Sequence, residues 1–187
     1  YMRIIGGYLK GKKIPFIKNV STRPLRDFVK ESLFNIIHHS NFVKVNVRNS
    51  VILDLYSGIG SFGIECLSRE AKSVTFVEKN SQALEILREN LKKLSLEKKV
   101  FLYPYEIKKF LSKISLKQKF DIIFVDPPFA KNEFKKEIEL IKKLKIFKKD
   151  HLIIIHRESV QEELNKLINV KLTKEYGRSK IIFGTLS

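Results

Sequence analysis

The stretch VILDLYSGIGSFG, residues 51–63, decides the fold of this 187-residue chain. Its first five residues form a mostly apolar run that is typical of a buried strand, and Gly58, Gly60 and Gly63 follow. Glycine allows the backbone to turn sharply and to pass close to a ligand. The stretch therefore predicts a strand, a tight turn and a helix, with room for a ligand at the turn.

The alternation of strand and helix continues to the carboxyl end of the chain. Further strands are predicted at residues 73–78, 100–105, 120–125, 152–156, 170–175 and 180–185. Helices are predicted up to residue 69 and at residues 80–94, 108–113, 133–144 and 160–168. Apolar strands that alternate with helices indicate a parallel sheet covered on both faces. We predict an α/β fold with a Rossmann-like, doubly wound seven-stranded sheet whose last strands are antiparallel.

The amino-terminal section has a different pattern. Gly6, Gly7 and Gly11 favour turns within a short basic segment, which predicts a small hairpin. A helix is predicted to begin near Pro24, because proline suits the first helical turn. We therefore divide the chain into a hairpin extension, residues 1–20, and one main domain, residues 21–187.

Composition limits the class of protein. With 43% hydrophobic residues the chain can bury a core, which excludes a disordered protein. Its single cysteine, Cys66, excludes an intramolecular disulfide and a zinc site with several thiolates. No apolar run approaches the ~18 residues that a membrane span needs, and no secretion signal is recognisable. We expect a cytoplasmic protein without a metal.

The net charge of +17 indicates a polyanionic partner, with nucleic acid first and an anionic membrane second. Basic residues are dense at the amino-terminal end, where eight Lys or Arg residues stand against one acid in the first 30 positions. The candidate phosphate contacts are Arg3, Lys10, Lys12, Lys13 and Arg23.

The loop after the first predicted strand fits two nucleoside cofactors. Gly58, Gly60 and Gly63, followed by Glu78 at the end of the second strand, match the fingerprint of a dinucleotide site. Asp54 with the same glycines equally fits S-adenosylmethionine, whose ammonium group needs a carboxylate. In both cases Glu78 is expected to accept hydrogen bonds from the ribose hydroxyls. The glycines alone do not choose between the cofactors.

The sequence Asp126-Pro127-Pro128-Phe129 follows the fourth predicted strand and favours the second cofactor. Asp126 and the Pro127 carbonyl can accept hydrogen bonds from an exocyclic amine, and the Phe129 ring can stack on a base. The prolines stiffen the loop. We predict these three residues as the catalytic set, on the same edge of the sheet as the glycines.

These motifs resemble those of bacterial 16S rRNA guanine-N2 methyltransferases of the guanine(966) type, which are class I S-adenosylmethionine-dependent enzymes. The resemblance extends over almost the whole chain, and its most specific part is amino-terminal. The matching segments are residues 3–7, 23–27, 29–31, 33–35, 53–65, 68–69, 77–79, 126–129 and 176–177.

The resemblance implies methyl transfer to the N2 amine of a guanine in 16S rRNA, within a small-subunit particle and by a monomer. It adds Tyr56, Glu106 and Ile107 to the expected cofactor contacts. The chain departs from the family pattern at three places. Glu106-Ile107 replaces a usual Asp-Ala, His156-Arg157 stands where an acid is frequent, and Arg178 follows Tyr176-Gly177 in place of an Asp.

Three alternatives remain open from the sequence. An adenine N6-methyltransferase of DNA or RNA shares the Asp-Pro-Pro-Phe motif, although the DNA enzymes usually carry a separate target-recognition domain. An NAD-dependent dehydrogenase needs a substrate domain for which 187 residues leave little room. A non-catalytic RNA-binding module has no need of Asp126 and Glu78 at strand ends.

Overall fold

A computed structural model describes residues 2–16, 24–160 and 164–187. A short 3-10 turn also lies at Glu97–Lys99. The strands and helices in chain order are β1 (Met2–Arg3), β2 (Lys13–Ile14), α1 (Asp27–His39), β3 (Val51–Leu55), α2 (Ser61–Ser68), β4 (Ser73–Val77), α3 (Ser81–Lys93), β5 (Val100–Tyr103), α4 (Ile107–Lys113), β6 (Phe120–Val125), α5 (Phe134–Leu144), β7 (Phe147–Glu158), β8 (Asn169–Tyr176) and β9 (Ser179–Thr185).

Seven strands form one sheet in the order β5-β4-β3-β6-β7-β9-β8. The first five of these run parallel, and β9 pairs antiparallel with both β7 and β8. This arrangement confirms the predicted α/β sheet with antiparallel last strands. The order reverses at β3 and β6, which is where open α/β sheets bind ligands.

One predicted helix is wrong where the structure describes it. Residues 164–168 form a single hydrogen-bonded turn, in which the N–H groups of Leu167 and Ile168 donate to the Leu164 carbonyl. Leu164 and Ile168 are both buried, so one turn is enough to place both side chains in the core. Residues 161–163 lie outside the described part. The preceding strand is also longer than predicted and extends to Glu158.

Helices cover both faces of the sheet and create two apolar cores. One core contains residues of α1, α2 and α3, and the other contains residues of α4 and α5. The close packing of α2 explains Gly63, because a Cβ atom there would lie 2.3 Å from the Phe76 ring. Asn80 caps α3, since its Oδ1 accepts a hydrogen bond from the Ala83 N–H at 2.9 Å.

The amino-terminal hairpin is present in the described residues, where β1 and β2 pair antiparallel. Its apolar side chains Met2, Ile4 and Ile14 are buried in the core that contains α1 and α2. The division of the chain at residue 20 stays a prediction, because residues 17–23 lie outside the described part. No helix in that part is long and apolar enough to cross a membrane.

Candidate active site

The register of the parallel strands brings the candidate residues to one level. Leu55 pairs with Val77 and with Val125, and Val125 pairs with Ile155. Each of these residues ends a run of aligned pairs, so the next residue of each strand stands at the same height above the sheet. Those next residues are Tyr56, Glu78, Asp126 and His156. All four line one cavity of about 520 Å³, a size suited to a cofactor or small ligand.

Glu78 is held at the edge of this cavity by the backbone. Its Oε2 atom accepts a hydrogen bond from the Gly58 N–H at 2.8 Å, and its Oε1 atom accepts one from the Asn80 N–H at 2.9 Å. A carboxylate offers about four acceptor positions, so two remain for a ligand. The loop that supplies Gly58 turns through Gly60, whose φ of +86° is in the left-handed region that favours glycine.

Asp54 lies deeper and contacts the start of α2, where its Oδ2 atom accepts a hydrogen bond from the Gly63 N–H at 3.0 Å. Burial raises the pKa of Asp54 well above its usual range, and the nearby Asp126 and Glu78 carboxylates act in the same direction. The carboxylates of Asp54, Glu78 and Asp126 therefore line one cavity. Such a space favours a ligand that carries positive charge.

Tyr56 occupies the left-handed region with a φ of +57°, which is uncommon for a residue other than glycine. Its hydroxyl donates a hydrogen bond to the Glu137 carboxylate of α5. Burial raises the pKa of Tyr56, and the bond to Glu137 adds to the shift. This bond attaches the turn after β3 to α5, which covers the face of the sheet opposite α2.

Asp126 at the end of β6 has a side-chain partner on the neighbouring strand. Its Oδ1 atom lies 2.9 Å from His156 Nδ1, and the two side chains are 25% and 15% exposed. The Phe129 ring meets the His156 ring edge-on at 5.5 Å between centroids. Arg157 is almost fully buried and donates hydrogen bonds to the Pro128 and Phe129 carbonyls at 3.3 and 3.1 Å. The Asp-Pro-Pro-Phe loop is therefore fixed from below by β7.

Other residues complete the wall of the cavity. The Phe62 and Phe124 rings stack at 4.1 Å between centroids and form an apolar floor. Ser57 also lines the cavity, and its buried hydroxyl has no hydrogen-bond partner within the described residues. In the same part of the chain, no group of three or more His, Cys, Asp or Glu side chains is arranged to hold a metal ion.

Most of the predicted site residues meet at this cavity. The lining includes seven of them, namely Asp54, Tyr56, Gly58, Glu78, Asp126, Pro127 and Phe129. Three predicted cofactor residues do not line it. Gly60 packs against Leu87 and Phe76. Ile107 is the first residue of α4 and is buried in the core. Glu106 is exposed, and its carboxylate lies 3.5 Å from Lys79 Nζ.

Four of the five predicted nucleic-acid contacts lie on the hairpin, and none of these four lines the cavity. Lys10, Lys12 and Lys13 are exposed. Arg3 forms an ion pair with Asp27 at 3.0 Å, at the start of α1. Arg23 lies outside the described residues.

Sequence reasoning missed His156 as a site residue and treated it only as a departure from a family pattern. It also missed Leu25, Asn80 and Lys131, which line the same cavity. A signal for His156 was present, because it stands at the carboxyl end of a predicted strand, as Asp126 does. Nothing in the local sequence marks Leu25, whose place depends on how α1 packs against the sheet.

Comparison with known proteins identifies the family. The sequence matches the family described as Conserved hypothetical protein 95 over residues 2–185. The chain belongs to this family. It is 36% identical over 187 residues to the ribosomal RNA small subunit methyltransferase D of Buchnera aphidicola subsp. Baizongia pistaciae, which covers 98% of this chain and 90% of that protein. The protein of the same name from Haemophilus influenzae is 35% identical over 159 residues, or 84% of this chain and 79% of that protein.

Solved structures agree with these matches. The putative methyltransferase yhhF from Escherichia coli superposes with a TM-score of 0.82 at 25% identity, over 99% of this chain and 98% of that one. The resemblance inferred from the motifs and the predicted enzyme class are both confirmed, and this member of the Conserved hypothetical protein 95 family is a methyltransferase. The dehydrogenase and the non-catalytic module have no support among these relatives.

Proposed function

We propose that the protein transfers a methyl group from S-adenosylmethionine to the exocyclic N2 amine of a guanine in 16S rRNA. The observation that carries the proposal is the single cavity lined by Glu78, by Asp126 and by the Phe129 ring. The names of the relatives, which are ribosomal RNA small subunit methyltransferases, support the RNA substrate. The small-subunit particle as substrate, a monomeric state and a cytoplasmic location belong to the same proposal.

The cavity fits the cofactor by the chemistry of its groups. Glu78 offers two remaining acceptor positions to a pair of ribose hydroxyls, and Asp54 offers a carboxylate to an ammonium group. The raised pKa of Asp54 supports this role, because a buried carboxylate gains most from a cationic partner. The unpartnered hydroxyl of Ser57 provides one further polar group for the ligand.

Asp126 stabilises charge and accepts a proton in the proposed reaction. When bound, S-adenosylmethionine supplies a methyl group on a sulfonium, which leaves as a neutral thioether while the amine nitrogen takes the methyl group. Positive charge then develops on that nitrogen, and the Asp126 carboxylate stabilises it by accepting a hydrogen bond. Asp126 also accepts the proton that the methylated amine loses. Positioning of the amine accounts for much of the remaining rate acceleration.

The target base enters the cavity after it leaves its stack in the RNA. Unstacking costs a few kcal/mol, and an aromatic ring that replaces the lost stacking lowers this cost. Phe129 is 36% exposed at the cavity and has the right chemistry for this role. The exposed lysines of the hairpin and the net charge of +17 supply phosphate contacts that need no base sequence.

The identity of the methylated nucleoside tests this function. The protein should be incubated with 16S rRNA and with small-subunit particles from cells that lack the corresponding enzyme, using S-adenosylmethionine with a labelled methyl group. Nucleoside mass spectrometry should find N2-methylguanosine. N6-methyladenosine as the product would keep the cavity chemistry but replace guanine by adenine, and no labelled nucleoside in either substrate would contradict the proposal.

A further inference from the structure

We infer that His156 is a positioning residue for Asp126, which holds that carboxylate in the orientation needed for the amine and makes the reaction sensitive to protonation of the imidazole. The inference rests on the proposed function, because it assigns the role of a second residue in the same reaction.

The contact itself is well defined. The distance from His156 Nδ1 to Asp126 Oδ1 is 2.9 Å, and both side chains line the cavity. The pairing of Val125 with Ile155 places the two residues side by side on neighbouring strands. The Phe129 and His156 rings also meet edge-on, so the imidazole is supported from a second direction.

The donor and acceptor of this bond follow from the chemistry of the two groups. An ionised carboxylate has only acceptors, so the proton between the atoms belongs to His156 Nδ1. The neutral ring then keeps its lone pair on Nε2. The bond occupies Oδ1 of Asp126 and prevents rotation of the carboxylate. Oδ2 is thereby left to accept the hydrogen bond, and later the proton, from the substrate amine.

Protonation of His156 at Nε2 changes the electrostatics of this pair. An imidazolium beside Asp126 offsets the negative charge that stabilises the developing positive charge on the amine. The same cation also makes Asp126 a weaker base for the departing proton. The protonated ring therefore keeps the geometry of the bond but opposes the reaction, whereas the neutral ring supports both.

Other ionisable groups also lie around the imidazole. On β9, the residue paired with His156 is Ile181, which is apolar. On β7 itself, Arg157 binds the carbonyls of the Asp-Pro-Pro-Phe loop, and Glu158 lies two residues further along the strand. The remaining ionisable residues that line the cavity are Asp54, Tyr56, Glu78, Lys79 and Lys131. Imidazole is the side chain that ordinarily changes charge between about pH 5 and pH 8.

Two substitutions separate the hydrogen bond from the titration. His156→Asn keeps an N–H donor near the position of Nδ1 but has no group that titrates. His156→Leu removes the donor and leaves the Asp126 carboxylate able to rotate. His39→Asn is the matched control, because His39 is an exposed imidazole on α1 that does not line the cavity. Chemical denaturation of each variant checks that the fold is kept.

Single-turnover methyl transfer to 16S rRNA, at saturating cofactor and with enzyme in excess, should be measured between about pH 5 and pH 8, where an imidazole titrates. The wild-type protein and His39→Asn should lose rate by up to about tenfold per pH unit on the acid side. His156→Asn should keep most of the neutral-pH rate and lose this acid limb. His156→Leu should also lack the acid limb and should be slower than the wild type by about ten- to a hundredfold near neutral pH, the effect of losing a hydrogen bond to a charged group.

A spectroscopic measurement tests the pair without any turnover. The ¹⁵N spectrum of the ligand-free protein should place the proton of neutral His156 on Nδ1, and Asp126→Asn should weaken that preference. A neutral His156 whose single proton is on Nε2 in the wild-type protein would overturn the inference whatever the activity. An acid limb that persists in His156→Asn, or a His156→Leu variant as fast as the wild type, would overturn it as well. Failure of the proposed function would give a different result, because the wild-type protein would then form no methylated guanosine at any pH.

Discussion

Glu65 and Asp126 are both carboxylates beside the central sheet, but their surroundings differ. Glu65 on α2 is fully buried and has four donors around it, which are the Ile5 and Gly6 N–H groups, Arg69 Nε and, at 3.5 Å, Lys30 Nζ. Asp126 is 25% exposed at a cavity, and its carboxylate has one hydrogen bond, to His156, within the described residues.

The difference shows how one chemical group serves two purposes. At Glu65 every acceptor position is used, so the carboxylate joins the hairpin, α1 and α2 and offers nothing to a ligand. The cost of burying Lys30 is visible in its pKa, which burial lowers and the Glu65 carboxylate raises in part. Asp126 has one hydrogen bond within the described residues, which leaves acceptor positions for the proposed substrate amine. A buried carboxylate whose acceptor positions are all used thus has a structural role. A carboxylate at a cavity with unused acceptor positions is a candidate for a role in the reaction.

The largest effect is expected from Glu65→Gln. The amide replaces an acceptor oxygen with a donor and leaves the buried Lys30 ammonium without its counter-charge. The free energy of unfolding should fall by about 3–5 kcal/mol, the usual cost of breaking a buried pair by removing one partner. Urea denaturation measures it, with Glu85→Gln on the exposed side of α3 as the control. A loss below the scatter of that control would contradict the structural role of Glu65.

Asp126→Asn should show the opposite pattern, with a large change in rate and a small change in stability. The amide keeps the size of the side chain but removes the negative charge that stabilises the cationic amine. Methyl transfer in a single turnover should slow by roughly 10²-fold or more. Cofactor affinity should change little, because Glu78 and Asp54 are the proposed binding groups. A rate near that of the wild type would remove Asp126 from the mechanism.

Glu78→Ala tests whether a carboxylate with two backbone donors still has binding capacity. The substitution removes the expected acceptor of the ribose hydroxyls. Affinity for S-adenosylmethionine should weaken by about 1–3 kcal/mol, the range for a hydrogen bond to a charged group. Calorimetry measures this change. A circular dichroism spectrum like that of the wild type shows that the substitution leaves the fold intact. Unchanged affinity would mean that Glu78 only binds the Gly58 and Asn80 N–H groups and does not contact the cofactor.

Asp54 predicts a pH dependence of cofactor binding. Its pKa is raised in the folded protein by burial, so the folded state holds this proton more tightly than the unfolded chain. The free energy of unfolding should therefore decrease as pH rises above the usual range of an aspartate. A cationic cofactor favours the carboxylate, so binding should release a proton and strengthen by up to about tenfold per pH unit in that window.

Proton release is measured by calorimetry in two buffers of different ionisation enthalpy. Asp54→Asn is the control, because it removes the titrating group and should abolish the difference between the buffers. Identical binding enthalpies for the wild-type protein in both buffers would contradict the assignment of Asp54 to the cationic part of the cofactor.

The smallest effect is expected for the hairpin surface. Lys10 and Lys12 are exposed, so their replacement by Gln should leave the fold and cofactor affinity intact. The magnitude of the slope of log affinity for RNA against log salt should decrease by about 1.4–1.8 if both contact phosphates. Deletion of the hairpin is a less specific test, because it would remove Met2, Ile4 and Ile14 from the core and two donors from Glu65. An unchanged salt slope would place the RNA contacts elsewhere.

Much of the architecture could be predicted because its signals are local. The apolar runs at β3 and β6, the glycines of the loop at Gly58 and the cap at Asn80 each depend on a few adjacent residues. The helix predicted at residues 160–168 is wrong in the described part, where residues 164–168 form one hydrogen-bonded turn that already buries Leu164 and Ile168.

By itself, the sequence determined the order of the elements, the class of sheet and the edge at which Asp54, Glu78 and Asp126 stand. These features follow from the periodicity of side chains and from the rule that parallel strands end at one edge. Only the tertiary structure decided that Asp126 meets His156, 30 residues away, and that Glu65 meets Ile5, 60 residues away. It also placed Glu106 at the surface, beside Lys79. The physical reason is that such contacts depend on strand order and register, which arise when the whole sheet packs and leave no mark on neighbouring residues in the chain.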